Sequence, residues 1–563
     1  MEPLGSFAFV LHTHLPYSRH AGRWPHGEEW LDEAATDTYI PLLEMLSSLG
    51  DDVPFAITIS LTPVLAEQLA APEVMADIES YLRDLIRRSQ EDQARFERSG
   101  DWQQASLAHF YCRWYEARLR AYLDRFAGDI VGAIRRLQEQ GRIEVIASAA
   151  THAYLPLLSR DSSVYAQVHT GIEAYRARLA SAPQGFWLPE CAYRPASGAG
   201  DAFRPGLEEF LGDHGIRFFF VESNAIEGGA APTGTGHLAP WYRGTERLAQ
   251  ASPSGRAPVE FRTTSLPYLV GTSDVCVVAR NRRLSMQVWS AGSGYPGDGR
   301  YREFHKRDAG SGLRYWSVTG SGVGLGDKAY YDPDFASECV LGHAKHFAAL
   351  VVEELQAHRE RYGSPGLATA VFDTELFGHW WFEGIEWLGH VLKLLAREGR
   401  VRLQPVAGYL EANPPQQRVD LPACSWGAGG DERTWLNDDT RPIWEGIHAA
   451  EATMERLVAT ASPDKGRFLA QAGRELLLMQ SSDWPFLVTT GQAREYAWQR
   501  FRDHQERFSL LSRLLQAGGC TADEWAYLER LERLDDLYPF LRPAWFAERQ
   551  GCARREGTGG RPC

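Results

Sequence analysis

Long apolar runs are missing from this chain of 563 residues. Stretches such as residues 7–11 are far too short to cross a bilayer, so a membrane is not expected among its partners. The N-terminal MEPLGSFAFVLHTH has neither a basic n-region nor an extended apolar h-region. The expectation is therefore no signal peptide and a cytoplasmic protein. Cysteine is scarce. The eight lie at 112, 191, 276, 339, 424, 520, 552 and 563, none in a CxxC pair, which fits reduced thiols better than a disulfide framework or a structural zinc site. An excess of positive charge is also missing: 59 Lys and Arg stand against 73 Asp and Glu, a net charge of −14. That balance argues against nucleic acid as a partner. No GxGxxG opens a helix after a strand, and no GxxxxGK[ST] or GxSxG occurs, so nucleotide-binding and α/β-hydrolase readings have no anchor. Internal repeats are absent. What is present is 44% apolar residues, enough to exclude disorder as the dominant state. Aromatics are plentiful, with 18 Trp, 22 Tyr and 25 Phe. Many Trp adjoin polar or charged residues, a pattern that suits both core filling and stacking on sugar rings.

Short apolar segments at 6–12, 55–60, 143–148, 185–188, 217–222, 268–279 and 367–372 read as buried parallel strands, with 401–405 as an eighth candidate. Helical stretches between them, such as 337–362, give a β–α alternation and an α/β fold whose unit count favours a barrel over an open sheet. The expected catalytic domain spans 1–405. It includes a charged helical insertion at 75–140 and a Gly-, Pro- and Thr-rich loop at 224–262 that carries Trp241 and Tyr242. Residues 406–548 read as a helical C-terminal domain, with amphipathic stretches at 440–461, 466–480, 493–517 and 522–537. The polar stretch 549–563 reads as a flexible tail.

Several positions carry chemistry. His12 and His14 follow the first strand on one face of an extended chain, where they suit either a metal or hydrogen bonds to a ligand. Pro189 stops the strand before it, which sets Glu190 at a strand's carboxyl end, where barrel sites lie. Asp373 repeats this design and is followed by Glu375, His379, Trp380 and Trp381. One such acid is as readily a helix N-cap; two in different β–α units suggest a working pair. Glu144 and His152 sit in and just after the third strand, where a buried Glu needs a partner.

The ordered segments HTHLPY, GRIEVIASAATHAYLPLL, FWLPECAY, FDTELFGHWW and SWG…WLN resemble the motif regions of glycoside hydrolase family 57. QVWS…GYPGDGRYREFHK and SSDWPFLVTTGQAREYA resemble its branching-enzyme subgroup. The likeness covers about residues 5–510. It implies an incomplete (β/α)₇ barrel with a helical insertion and a helical C-terminal domain. It also implies a retaining, metal-free mechanism on α-1,4-glucan as donor and acceptor, without a cofactor. By this resemblance Glu190 is the nucleophile and Asp373 the general acid/base. His12, His14 and His152 lie near the reacting sugar, Trp289, Trp426, Trp435 and Asp483 line the cleft, and Tyr242 tips the loop over it. Glu222 departs from the pattern, where Asp is frequent. Three other readings stay open: an α-amylase or 4-α-glucanotransferase of the same family, a metal-dependent deacetylase-like hydrolase using His12, His14 and His152, and a non-catalytic glucan-binding protein.

Overall fold

The computed structural model describes residues 3–23, 26–50, 53–229, 262–290, 292–517 and 521–549. Its ten strands are β1 (Gly5–Thr13), β2 (Ile57–Leu61), β3 (Ile143–Ser148), β4 (Gly185–Trp187), β5 (Phe218–Val221), β6 (Tyr268–Val270), β7 (Cys276–Ala279), β8 (Gly366–Asp373), β9 (Val401–Leu403) and β10 (Arg418–Val419). The parallel path runs β7-β5-β4-β3-β2-β1-β8, which makes seven barrel positions. Among the described residues no ladder joins β7 to β8. Only single backbone bonds span that gap, Asn281 N–H to Thr369 at 2.7 Å and Leu367 N–H to Ser265 at 2.8 Å. The barrel is thus incomplete, as expected.

Two sequence readings need correction. The segment 268–279 is not one strand: it folds back as the antiparallel pair β6–β7, with Gly271 at φ +53° in the turn. The eighth candidate, β9, adds no barrel position. It pairs with the first residues of β1 (Gly5↔Val401 to Phe7↔Leu403), while β2 joins only from Val10.

Side chains alternate across each strand, so one parity fills the barrel and the other meets the helices. Ala8, Val10, Trp187, Phe218, Phe220, Val278 and Val371 form the interior, plugged from below by Val406, Ala407, Tyr409 and Leu410 of the short helix Val406–Ala412. Phe7, Phe9 and Leu11 join the larger core outside. Glu144 belongs to this lower end, not to the mouth. It accepts a hydrogen bond from Thr58 Oγ1 at 2.9 Å and bonds from the Val406 and Ala407 amides, while burial pushes its carboxyl up to about 7.

Between β2 and β3 the helices Pro72–Ser99 and Trp102–Arg120 turn back on each other at Gly100 (φ +82°), and Ile130–Glu139 returns the chain to the barrel. The C-terminal region holds Arg441–Thr460, Gly466–Met479, Asp483–Thr490, Arg494–Gln516 and Ala522–Leu534. The helix starting at Asp483 has no counterpart in the sequence reading; with eight residues it is too short for a clear period.

Candidate active site

Interior parity, carried to the carboxyl ends of the strands or one residue beyond, delivers polar groups to the barrel mouth. From Ala8 and Val10 it leads to His12, from Val371 to Asp373, from Phe220 to Glu222 and from Val278 to Arg280. His12 and Asp373 are direct neighbours in the β1–β8 register. One cleft at this mouth is lined by nine of the expected residues: His12, His14, His152, Glu190, Trp289, Asp373, Trp426, Trp435 and Asp483. Tyr242 and most of 224–262 lie outside the described residues, as does the tail beyond Arg549.

Glu190 is held under backbone strain. It has φ +64° and Cys191 φ +50°, left-handed values that cost non-glycine residues on the order of 1–3 kcal/mol each. The turn keeps this shape because segment 424–426 ties it down. Tyr193 and Cys424 exchange backbone hydrogen bonds (2.9 and 3.1 Å), and Trp426 N–H donates to the Glu190 carbonyl at 2.9 Å. Its side chain is fixed as well. Trp426 Nε1–H donates to Oε2 at 2.7 Å and Ser482 Oγ–H to Oε1 at 3.2 Å. Gly427 makes this geometry possible, since a Cβ there would stand 2.4 Å from the Trp435 ring. Burial and the neighbouring Asp373 and Asp483 charges push the Glu190 carboxyl up to about 8, against the two hydrogen bonds, which favour the anion.

The three histidines form a stack. The His14 and His152 rings lie 3.8 Å apart at 18°, and His12 stacks on Trp187 at 4.4 Å. His12 uses Ser60 Oγ (3.2 Å) and His152 Nε2 (3.0 Å), and His152 Nδ1 meets Ser482 Oγ (2.9 Å). His14 reaches Thr62 Oγ1 (3.0 Å) and Asp483 (3.1 Å). Every ring nitrogen therefore has a protein partner. Burial, reinforced by neighbouring imidazoles, holds His12 and His152 well below the usual imidazole range, so both stay neutral at working pH. His14, His152 and Asp483 are close enough to share an ion. Their rings, however, are parallel and face to face, a poor arrangement for lone pairs that must converge on one metal.

Sequence reasoning missed Arg280, Ser482 and Trp30. Arg280 lines the cleft and forms a buried ion pair with Glu222. Burial alone would lower its guanidinium, but Glu222, with Cys191 and Asp373 adding, raises it. Its signal was available, since it follows a buried strand just as Asp373 does. Ser482 bridges Glu190 and His152 from the C-terminal region, and nothing local marks such a contact. Glu375, two residues past Asp373, accepts from Tyr39 O–H at 2.6 Å. Burial, helped by Asp373, pushes it up to about 8.

Paired acids at strand carboxyl ends beneath an aromatic rim define a barrel enzyme that acts on sugar chains. The chain belongs to glycosyl hydrolase family 57, whose sequence profile matches residues 8–422. A second profile, the C-terminal region of 1,4-alpha-glucan branching enzymes, matches residues 446–546. The chain is 44% identical over 95% of its length to a 1,4-alpha-glucan branching enzyme of Thermococcus kodakarensis, covering 77% of that protein. Among solved structures it resembles a branching enzyme of the same archaeon (TM-score 0.86, 41% identity, 97% of both chains). It also resembles the alpha-amylase AmyC of Thermotoga maritima (TM-score 0.79, 29% identity, 97% of this chain and 99% of that one).

Proposed function

We propose that this protein is a 1,4-α-glucan branching enzyme of glycogen synthesis in the cytoplasm, with Glu190 as nucleophile and Asp373 as general acid/base. One observation carries the reading. The C-terminal region, itself similar to that of branching enzymes, supplies Ser482 to the Glu190 carboxylate and Asp483 to His14, so the two parts of the chain build one cleft. In the first step a Glu190 oxygen attacks C1 of the donor glucosyl unit. The C1–O4 bond breaks, and Asp373 gives its proton to O4. In the second step Asp373 takes the proton of an acceptor 6-hydroxyl. That oxygen attacks C1, Glu190 departs, and an α-1,6 bond replaces the α-1,4 bond with net retention. Trp289 and Trp426 are apolar platforms for the sugar rings, with Trp435, fully buried against Tyr154, supporting the cleft wall.

Incubation with amylose tests the reading. New α-1,6 linkages should accumulate without a matching rise in reducing ends. Only shortened or redistributed linear chains would instead support the α-amylase or 4-α-glucanotransferase reading, which the likeness to AmyC keeps in view.

The acid pair also sets a pH limit. Interacting carboxyls titrate as a unit, and the pair must hold one proton to supply the leaving oxygen. Glu190, raised to about 8 by burial and its acidic neighbours, marks where that proton leaves. The value of kcat/KM on amylose should therefore fall as pH rises through about 8. A flat profile to about pH 10 would contradict this assignment.

A further inference from the structure

Ser60 of β2 and His12 of β1 are partners in the parallel register, and Ser60 Oγ meets His12 Nδ1 at 3.2 Å. From there polar contacts run unbroken to the nucleophile. His12 Nε2 meets His152 Nε2 at 3.0 Å, His152 Nδ1 meets Ser482 Oγ at 2.9 Å, and Ser482 Oγ meets Glu190 Oε1 at 3.2 Å. Ser60, His12, His152 and Ser482 are all buried. The His12 and His152 rings meet edge to edge, with centroids 5.0 Å apart and planes within 22°, as a ring-to-ring hydrogen bond requires. His152 Nδ1 lies 3.8 Å from Glu190 Oε1, beyond hydrogen-bond distance, so Ser482 is the link between them.

Counting hydrogens gives this chain one direction. The inference rests on Glu190 being the nucleophile: in the form that attacks C1, its carboxylate only accepts. Ser482 has a single hydroxyl hydrogen and gives it to Oε1, so it accepts from Nδ1–H of His152. A neutral imidazole has one N–H, so His152 Nε2 accepts from Nε2–H of His12, and His12 Nδ1 accepts from Ser60 O–H. His14 stands apart. Its Nε2 faces the Asp483 carboxylate and carries the hydrogen, while its Nδ1 takes that of Thr62. We propose that Ser60, His12, His152 and Ser482 form a directed hydrogen-bond chain that aims the Glu190 carboxylate, with Ser482 as the positioning residue that makes the last bond. Trp426 holds Oε2 at 2.7 Å, so the carboxylate is fixed at both oxygens. The fold commits backbone strain to this arrangement. His152 has φ +56°, left-handed like Glu190 and Cys191, and Ser482 N–H donates to the His152 carbonyl at 3.1 Å beside the Ala153–Ser481 pairing. Ser482 thus joins two left-handed turns. His12 stacks on Trp187 and His152 on His14, which keeps either ring from turning over to exchange its nitrogens.

The test is ¹⁵N NMR of the imidazoles in the full-length protein at about pH 9. There free imidazoles are neutral, and Glu190, raised to about 8, is ionised. His12 and His14 should carry hydrogen on Nε2 and His152 on Nδ1, with signals assigned from His12→Gln, His14→Gln and His152→Gln. An Nε2–H tautomer at His152 would overturn the chain. Ser482→Ala should slow nitrophenolate release from an aryl maltooligoside about 10–100-fold, the worth of a hydrogen bond to a charged group. KM should stay within about threefold, because the loss falls on attack and not on binding. A rate within twofold of wild type would overturn the role of Ser482. If that variant does not fold, the wild-type tautomers decide. Nitrophenolate release precedes any acceptor, so a protein that forms no α-1,6 linkages would sink the branching reading and leave this test intact. Wild-type release by Glu190→Gln would sink the nucleophile reading and the inference with it, whereas a wrong His152 tautomer in a protein that Glu190→Gln silences would sink the chain alone.

Discussion

Glu190→Gln is expected to abolish glucan cleavage and transfer together, with kcat reduced on the order of 10⁴-fold or more, because an amide cannot form the glycosyl ester. The same substitution should leave the fold intact. Gln is nearly isosteric, still accepts the Trp426 indole N–H, and keeps the left-handed backbone that the Tyr193–Cys424 pairing enforces. It also removes a buried ionisable group set among like charges, so Tm should hold or rise. Amylose binding should persist, since Trp289, Trp426 and Trp435 are untouched. Activity within tenfold of wild type, in a preparation free of contaminating amylase, would remove Glu190 from the nucleophile role.

Much of this site was legible because strand geometry is simple. Glu190 and Asp373 each come at the carboxyl end of a short buried run; a period of two carries Asp373 inward from Val371, whereas Glu190, three residues past inward-facing Trp187, reaches the mouth through the left-handed turn at 189–191. The same rule read through Cys276–Ala279 would have found Arg280. A single strand over 268–279 hides it, because the turn at Gly271 resets the phase. Glu144 shows the converse: it lies in the right strand but at its amino end, and only the position of the Val406–Ala412 plug reveals that it caps that helix. Ser482 was beyond reach. Its place beside Glu190 depends on the docking of 481–483 against His152 and Ala153, a contact across more than 300 residues that no local pattern encodes. The resemblance to the family supplied the roles of the cleft tryptophans; their spacing alone did not.

Asp373→Asn should be as damaging on amylose as the loss of Glu190, but selectively so. A sugar hydroxyl is a poor leaving group and needs the proton that Asp373 supplies, whereas a nitrophenolate leaves without it. The first step on an activated aryl maltooligoside should therefore survive far better than the first step on amylose. With the base also gone, no group activates the incoming hydroxyl, and the glycosyl ester on Glu190 should accumulate. Intact-protein mass spectrometry should show the added sugar, and azide, which needs no deprotonation, should release it as a glycosyl azide. Equal losses on both substrates, with no azide effect, would count against an acid/base role. The variant also tests the shared proton. The Asp373 charge is one cause of the high Glu190 value, after burial, so its removal should let Glu190 ionise at lower pH. Activity on the aryl substrate should then rise with pH to a plateau and show no fall near 8. The alkaline loss seen on amylose would thereby be traced to the acid, because the group that leaves without a proton no longer feels it.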